Sequence, residues 1–122
     1  MAEARFQHLR LSMVEDVAVA GILTRDIQGP QPAQELGHEL AAVLAQDWAR
    51  KVLLNFSRVA FLGSTGFAAI FNLVRRAKAE GREVKLCGME HALKLGAEIV
   101  DLPQVVEIHD DEASALHAFA RH

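Results

Sequence analysis

The sequence is poor in the residues that build disulfides, metal centres and nucleic-acid surfaces. It contains one cysteine, no tyrosine and three prolines. The lone Cys87 excludes an intramolecular disulfide and any multi-cysteine metal site, and it fits a reducing compartment. Thirteen Lys and Arg stand against sixteen Asp and Glu, which gives a formal net charge of −3. Because no basic excess is available to neutralise phosphates, we expect no sequence-independent binding to nucleic acid.

Long hydrophobic runs are also missing. The N-terminus lacks the basic start and the apolar stretch of a secretory signal. The most apolar window, residues 59–73, is interrupted by two glycines, two hydroxyl residues and one amide residue: Gly63, Gly66, Ser64, Thr65 and Asn72. Such a window is unsuited to crossing a bilayer core of about 30 Å. We therefore expect a cytoplasmic protein that makes no contact with a membrane.

What the sequence does contain is the composition of a soluble globular domain. Of its 122 residues, 51% are hydrophobic and 24% are charged. This balance excludes a disordered chain. Since domains run to about 150 residues, the length predicts a single domain over residues 1–122.

The spacing of the apolar residues predicts an α/β fold. Alternating or β-branched runs predict five strands, at about residues 6–13, 17–23, 51–56, 83–88 and 105–108. Three- and four-residue spacing predicts four helices, at about residues 33–48, 64–80, 92–100 and 110–120. Strands and helices alternate from residue 50 onward. Right-handed crossovers then give a mixed, mainly parallel sheet of about five strands with about four helices, largely on one side.

The first two strands and the last helix carry more specific expectations. Glu15 and Asp16 lie between the first two apolar runs, so they are expected to form the tight turn of a hairpin. In the last helix, Ala113, Leu116 and Ala120 are expected to form one apolar stripe, widened by Phe119.

One strand-to-helix turn, residues 59–67, is the most informative segment. It reads VAFLGSTGF, so two hydroxyl residues, Ser64 and Thr65, stand where an amphipathic helix begins. Unpaired N–H groups and the positive end of the helix dipole stabilise an anion at such a place. A phosphate on either hydroxyl would meet that environment. Ser-Thr-Gly is also an ordinary way to cap a helix, and a purely structural cap remains the alternative from the residues alone.

The surrounding pattern resembles the STAS domain family, which includes the anti-sigma factor antagonists and related sulfate-transporter modules. Residues 52–57 read VLLNFS, an apolar strand that ends in Asn, and the VAFLGSTGF turn follows. Downstream, residues 75–81 (RRAKAEG), residues 84–89 (VKLCGM) and the acidic stretch at 110–112 resemble the family's later helix, strand and final helix. The similarity covers about residues 5–121.

The resemblance implies a non-enzymatic regulatory module that works by binding another protein and needs no cofactor. By position, Thr65 is the family's phosphoacceptor, with Ser64 before it. The implied partner is an anti-sigma factor or a serine/threonine kinase of the histidine-kinase-like ATPase fold. The partner-binding surface is expected at Asp26, Asn55, Gly63, Gly66 and Phe67. The exposed part of residues 61–71 would serve a homodimer equally well.

The sequence departs from the family pattern at two places on this surface. Gly63 stands where the family has an Asp before the hydroxyl pair. The second strand of typical antagonists ends in a G-x-L-D motif, whereas here Thr24 follows Leu23 and the nearest carboxylate is Asp26. Some family members act without phosphorylation, so the alternative function is a module that senses an anion, a nucleotide or another small molecule, or a scaffold.

Other kinds of site find little support in the sequence. The six histidines form no i, i+4 pair and no H-E-x-x-H signature, so we expect no metal site. No nucleophile elbow, P-loop or dinucleotide fingerprint is present, and we expect no enzyme. Cys87 falls in a predicted inner strand, which favours a buried, unreactive thiol. A receiver domain is disfavoured because no Asp ends the strand at residues 52–56.

Overall fold

The computed structural model describes residues 6–120, and in them an α/β fold with a five-stranded mixed sheet and four α-helices. The seven strands are β1 (Leu9–Val14), β2 (Val17–Ile22), β3 (Asp26–Ile27), β4 (Lys51–Asn55), β5 (Phe61–Leu62), β6 (Glu83–Cys87) and β7 (Glu107–His109). The helices are α1 (Pro30–Leu44), α2 (Ser64–Ala79), α3 (His91–Ile99) and α4 (Glu112–Ala120), and a 3₁₀ turn spans Leu102–Gln104. Residues 1–5, 121 and 122, which the sequence analysis placed in the same domain, lie outside the described residues.

The main sheet has the order β1-β2-β4-β6-β7. β1 and β2 form the expected antiparallel hairpin, in which Val14 pairs with Val17 around Glu15, a residue at φ 56°. β2, β4, β6 and β7 are parallel to one another. Their carboxyl ends therefore lie along one edge of the sheet, called the carboxyl edge below.

A second, two-stranded sheet of β3 and β5 was not predicted. Asp26 pairs with Phe61, and Ile27 pairs with Leu62, in parallel register. Elements of two residues are too short to show an alternating pattern. Their pairing also joins segments about 35 residues apart, so only the tertiary structure brings them together.

The sheet has two unequal faces. The larger core packs α1, α2 and α3 on one face, around the buried β4 residues Val52 and Leu54. The other face carries α4 and a small cluster of Val17, Val19, Leu53, Cys87, Ala115 and Phe119. Three of the four helices thus cover one side, as the sequence predicted.

The predicted stripe of α4 is wrong in part. Ala115, Ala118 and Phe119 are the buried residues, while Ala113 and Ala120 are exposed and Leu116 is half-buried. An alanine-rich helix offers several apolar stripes of similar quality, and here packing against Val17, Leu53 and Cys87 selects the one that contains Phe119. In the part of the chain that the structure describes, no helix has the length and apolar character needed to span a membrane.

Candidate functional site

The two-stranded sheet of β3 and β5 fixes the start of α2. The Ala60 N–H donates to the Arg25 carbonyl at 2.8 Å, and the Gly63 N–H donates to the Ile27 carbonyl at 2.9 Å. α2 begins one residue later, at Ser64. The turn that carries the hydroxyl pair is therefore held in place by backbone bonds on its approach side.

The two hydroxyl residues occupy the first turn of α2, and both are exposed. The Thr65 hydroxyl donates to the Gly29 carbonyl at 3.1 Å, so Thr65 bridges the starts of α2 and α1. Gly63, the N-cap residue, is extended (φ −77°, ψ 176°) and supplies no side chain to cap the helix. No acidic residue lies in the first turn. The N–H groups and the positive dipole end are thus left without an anionic partner from α2 itself.

Gly66 and Phe67 shape the turn from beneath. A Cβ at Gly66 would lie 2.3 Å from Leu62 Cδ1, so any larger residue here would force the buried Leu62 side chain to move. Phe67 is 7% exposed, and its ring lies against Gly96 of α3. Both residues belong to the core under the candidate surface and set the position of the hydroxyls above it.

Asp26 and Asn55 lie in different sheets, Asp26 in the two-stranded sheet and Asn55 in the five-stranded sheet. Asp26 is exposed on β3, opposite Phe61, whose side chain is 46% exposed. Asn55 ends β4, and its amide Nδ2 donates to Glu112 Oε1 of α4 at 3.1 Å while its Oδ1 accepts the Ser57 N–H at 2.8 Å. The structure thus pairs Asp26 with the strand that leads into the hydroxyl pair, and it bonds the Asn55 side chain to α4.

A groove between α1 and α2 begins at Thr65. The helices run parallel, from Pro30 and Thr65 at one end to Leu44 and Arg76 at the other, and the groove measures about 550 Å³. Its floor is lined by small residues, since Gly37 of α1 faces Ala69 of α2. The small residues of both helices were the available sequence signal for this groove, although they do not reveal which helices meet.

Cys87 lies buried in a strand, as the sequence predicted. Cys87 is fully buried, and desolvation, followed by the nearby Glu112 and Asp111 carboxylates, raises the pKa of its thiol to about 12. A thiol with that pKa is not a nucleophile near neutral pH. Within residues 6–120, no three His, Cys, Asp or Glu side chains are placed to hold a metal ion.

Comparison with known proteins finds a family whose sequence model matches most of this chain. The model of the STAS domain family matches residues 11–115 of this chain. That span contains most of the hairpin, the hydroxyl-bearing turn and the first four residues of α4.

Solved structures share the fold at low sequence identity. TM1081 from Thermotoga maritima is 17% identical, with a TM-score of 0.80 over 94% of this chain and 97% of that one. An anti-sigma factor antagonist from Mycobacterium paratuberculosis is 20% identical, with a TM-score of 0.78 over 90% and 91%. The unphosphorylated anti-sigma factor antagonist SpoIIAA, whose phosphorylated form from Bacillus is also solved, is 15% identical, with a TM-score of 0.68 over 93% and 97%.

Proposed function

The chain belongs to the STAS domain family, and from this premise we propose that it is a non-enzymatic regulatory module that binds a partner protein through the start of α2. We propose further that phosphorylation of Thr65 releases the partner. The partner class is an anti-sigma factor or a serine/threonine kinase with the histidine-kinase-like ATPase fold. Similarity to anti-sigma factor antagonists of known structure supports the general kind of function.

The exposed hydroxyl pair on a rigid helix start is the observation that carries this proposal. A kinase must reach the acceptor oxygen, and both Ser64 and Thr65 are exposed. Thr65 is the better candidate for a switch because its hydroxyl also donates a hydrogen bond to the Gly29 carbonyl at the start of α1. A modification there changes two helix starts together.

The electrostatics of the turn supports a switch with two stable forms. A phosphate carries about −1.5 to −2 charges near neutral pH. The uncapped start of α2 stabilises those charges within this molecule, so the modified form remains folded. The same charges would repel an acidic partner surface, and they would have to lose their water before an apolar partner surface could approach. The half-exposed Phe61 ring next to the turn offers apolar area that such a partner can cover.

Phosphate transfer from ATP in a lysate of the host tests the acceptor. We expect one added phosphate by intact mass, located on Thr65 by peptide sequencing. Thr65→Val keeps the β-branched shape and removes the hydroxyl, and we expect it to abolish the modification. Ser64→Ala is the matched control at the adjacent exposed hydroxyl, and we expect it to remain a substrate. Modification that persists in Thr65→Val would refute the assignment.

Binding by the two forms tests the switch. The unmodified protein is expected to retain an ATPase-fold protein from the same lysate, and the form phosphorylated on Thr65 is expected to release it. Equal retention of that protein by both forms would contradict the switch and leave only a binding module.

The free helix start supports a second candidate function, the sensing of an anionic small molecule without phosphorylation. The α2 N–H groups have neither a capping side chain nor an acidic neighbour in their own first turn. Retention of a phosphorylated metabolite on the purified protein, lost in Gly63→Asp because its carboxylate occupies the same N–H groups, would favour this function.

A further inference from the structure

A small hollow lies on the α4 face of the sheet, away from the hydroxyl pair. Arg10, Gly21 and Asn55 are cross-strand neighbours on β1, β2 and β4. Gly21 lacks a side chain between the other two, and its built Cβ position meets only the Arg10 carbonyl, at 3.9 Å. The missing side chain leaves a depression of about 180 Å³ in the row.

α4 leaves this depression open. The helix packs mainly on β4, β6 and β7, and its buried residues Ala115 and Phe119 lie over Leu53 and Cys87. Only its first residue, Glu112, reaches the depression, where it accepts the Asn55 amide. The hairpin half of this face therefore has no helix above it at the carboxyl edge.

Two arginines line the depression from opposite sides. Arg10 comes from β1, and Arg58 comes from the loop after β4. Both side chains are exposed, and neither guanidinium forms a hydrogen bond or an ion pair with another residue in the range 6–120. Arg82, in contrast, lies outside the depression, and its guanidinium donates to backbone carbonyls. Ser12 and Ser57 add hydroxyl groups to the lining.

The size and the polar groups of the depression select a small ligand. Sites for drug-sized molecules measure about 300–1,000 Å³, so 180 Å³ is too small for a nucleotide. Guanidinium groups bind oxyanions by charge-assisted and often bidentate hydrogen bonds. We infer that the hollow binds a small tetrahedral oxyanion of the phosphate class. This site is separate from the proposed partner surface and goes beyond the proposed function.

Glu112 adds selectivity among such anions. Its carboxylate belongs to the same lining as the two arginines, and a carboxylate only accepts hydrogen bonds. A phosphate that keeps one proton near neutral pH can donate a hydrogen bond from that O–H to the Glu112 carboxylate. Sulfate has no proton to donate and would meet the carboxylate as a bare like charge. The site should therefore prefer phosphate to sulfate.

Titration of the whole chain with inorganic phosphate, followed by amide NMR at constant ionic strength, tests the inference. We expect saturable shifts at Gly21, Asn55 and Ser57, with sulfate binding at least several-fold more weakly. Arg10→Gln and Arg58→Gln should each weaken phosphate binding about tenfold. Arg75→Gln is the matched control, since Arg75 is an exposed arginine of α2 that bonds to Asn72, and it should leave binding unchanged.

A steric variant separates a built site from general attraction to positive charge. Gly21→Val fills the hollow while both arginines remain, and a β-branched residue suits a strand. We expect it to abolish the saturable shifts. Phosphate binding that survives Gly21→Val, or that Arg75→Gln weakens as much as Arg58→Gln, would overturn the inference, as would the absence of saturable shifts in the unaltered protein.

Competition with O-phosphoserine identifies the source of the anion. Displacement of phosphate by O-phosphoserine would assign the site to a phosphate ester, and retention of phosphate would assign it to the free ion. Either result supports the shared oxyanion chemistry, which the arginine and Gly21→Val variants test independently.

Discussion

At the scale of single residues, two helical glycines that look alike in the sequence have opposite roles. Gly66 allows α2 to approach β5, since a Cβ there would lie 2.3 Å from Leu62 Cδ1 and 3.0 Å from its Cγ. Gly37 of α1 has room for a side chain, since a Cβ there would lie 3.9 Å from the Ala69 Cβ, an ordinary contact distance. Neither has a positive φ, so the difference lies in packing alone.

We expect Gly66→Ala to destabilise the protein and Gly37→Ala to stabilise it. Overpacking a buried contact costs about 1–3 kcal/mol, which outweighs the gain of up to about 1 kcal/mol in helix propensity. At Gly37 only the propensity gain applies, about 0.5–1 kcal/mol. Urea unfolding measures both free energies, and the two variants serve as controls for each other. An unchanged or higher midpoint for Gly66→Ala would contradict the close approach.

Cys87 gives a second prediction at this scale, in the alkaline range. Burial raises the pKa of its thiol from 9.0 to about 12, so the folded state resists losing this proton. The resulting stability is complete below pH 9 and is lost as the pH rises toward 12, with a slope of up to about 1.4 kcal/mol per pH unit. Unfolding free energies from pH 8 to 11 should fall less steeply for Cys87→Ala than for the unaltered chain. Parallel curves would mean that the thiol ionises equally easily in both states.

At the scale of elements, the sequence predicted the helices and strands that are long enough to show a hydrophobic period. It missed the two short strands that form only by pairing with each other across the chain. All five predicted strands and all four predicted helices are present. The helix predicted at residues 33–48 is α1, whose buried residues recur at mostly three- and four-residue spacing: Ala33, Leu36, Leu40, Val43 and Leu44. The strands β3 and β5 were not predicted because each has only two residues, and each is a strand only through its pairing with the other. The α4 stripe was misassigned because a run of alanines does not distinguish one face from another.

The candidate site divides in the same way. A hydroxyl pair at a helix start was readable as Ser-Thr-Gly after an apolar strand, and the structure places both residues in the first turn of α2. The bond from Thr65 to Gly29 and the bond from Asn55 to Glu112 join positions 36 and 57 residues apart. No local pattern carries such contacts, so the sequence could not show that Asn55 is bonded to α4.

Gly63, the N-cap residue of α2, leaves the start of this helix without a capping side chain. The extended backbone of Gly63 leaves room for a side chain. A Cβ there would lie 3.5 Å from the Ile27 carbonyl oxygen and 3.6 Å from the Phe61 ring, which are ordinary contact distances. Gly63→Asp should cap the free N–H groups and complement the dipole, and it should be about 1 kcal/mol more stable than Gly63→Ala in urea unfolding. The advantage should disappear below about pH 4, where the carboxylate becomes neutral. Equal stability of the two variants at pH 7 would show that the helix start is already satisfied.

At the scale of the whole molecule, five carboxyl groups favour the folded state through partners spread over the sheet and its helices. Hydrogen bonds lower the pKa of each: to Lys51 for Asp16, to His8 for Glu35, to Arg76 for Glu80, to Lys85 for Glu107 and to the Ser114 backbone for Asp111. A lowered pKa means that this stability is present above the ordinary values of 3.8 for Asp and 4.5 for Glu, and is lost as the pH falls through the lower folded values.

We therefore expect the urea midpoint to fall steadily below about pH 4.5. Asp111→Asn is a sharp test of one contribution, since asparagine can still accept the Ser114 N–H at the start of α4 but does not titrate. Its stability should depend less on pH below pH 4 than that of the unaltered chain. An acid limb of the same steepness in both proteins would assign the loss of stability to other groups.

The unequal faces of the sheet lead to a prediction about local opening. α1 and α2 share a core of more than twenty buried residues with the sheet, while α4 closes a cluster of six. Regions with few buried apolar contacts open at lower free energy than the whole molecule unfolds. Amides of α4 should therefore exchange with solvent sooner than those of α2 under native conditions. Phe119→Leu, which keeps an apolar side chain but removes the ring beside Lys85, should speed exchange in α4 and leave α2 protected. Equal acceleration in both helices would show instead that the two faces unfold as one cooperative unit.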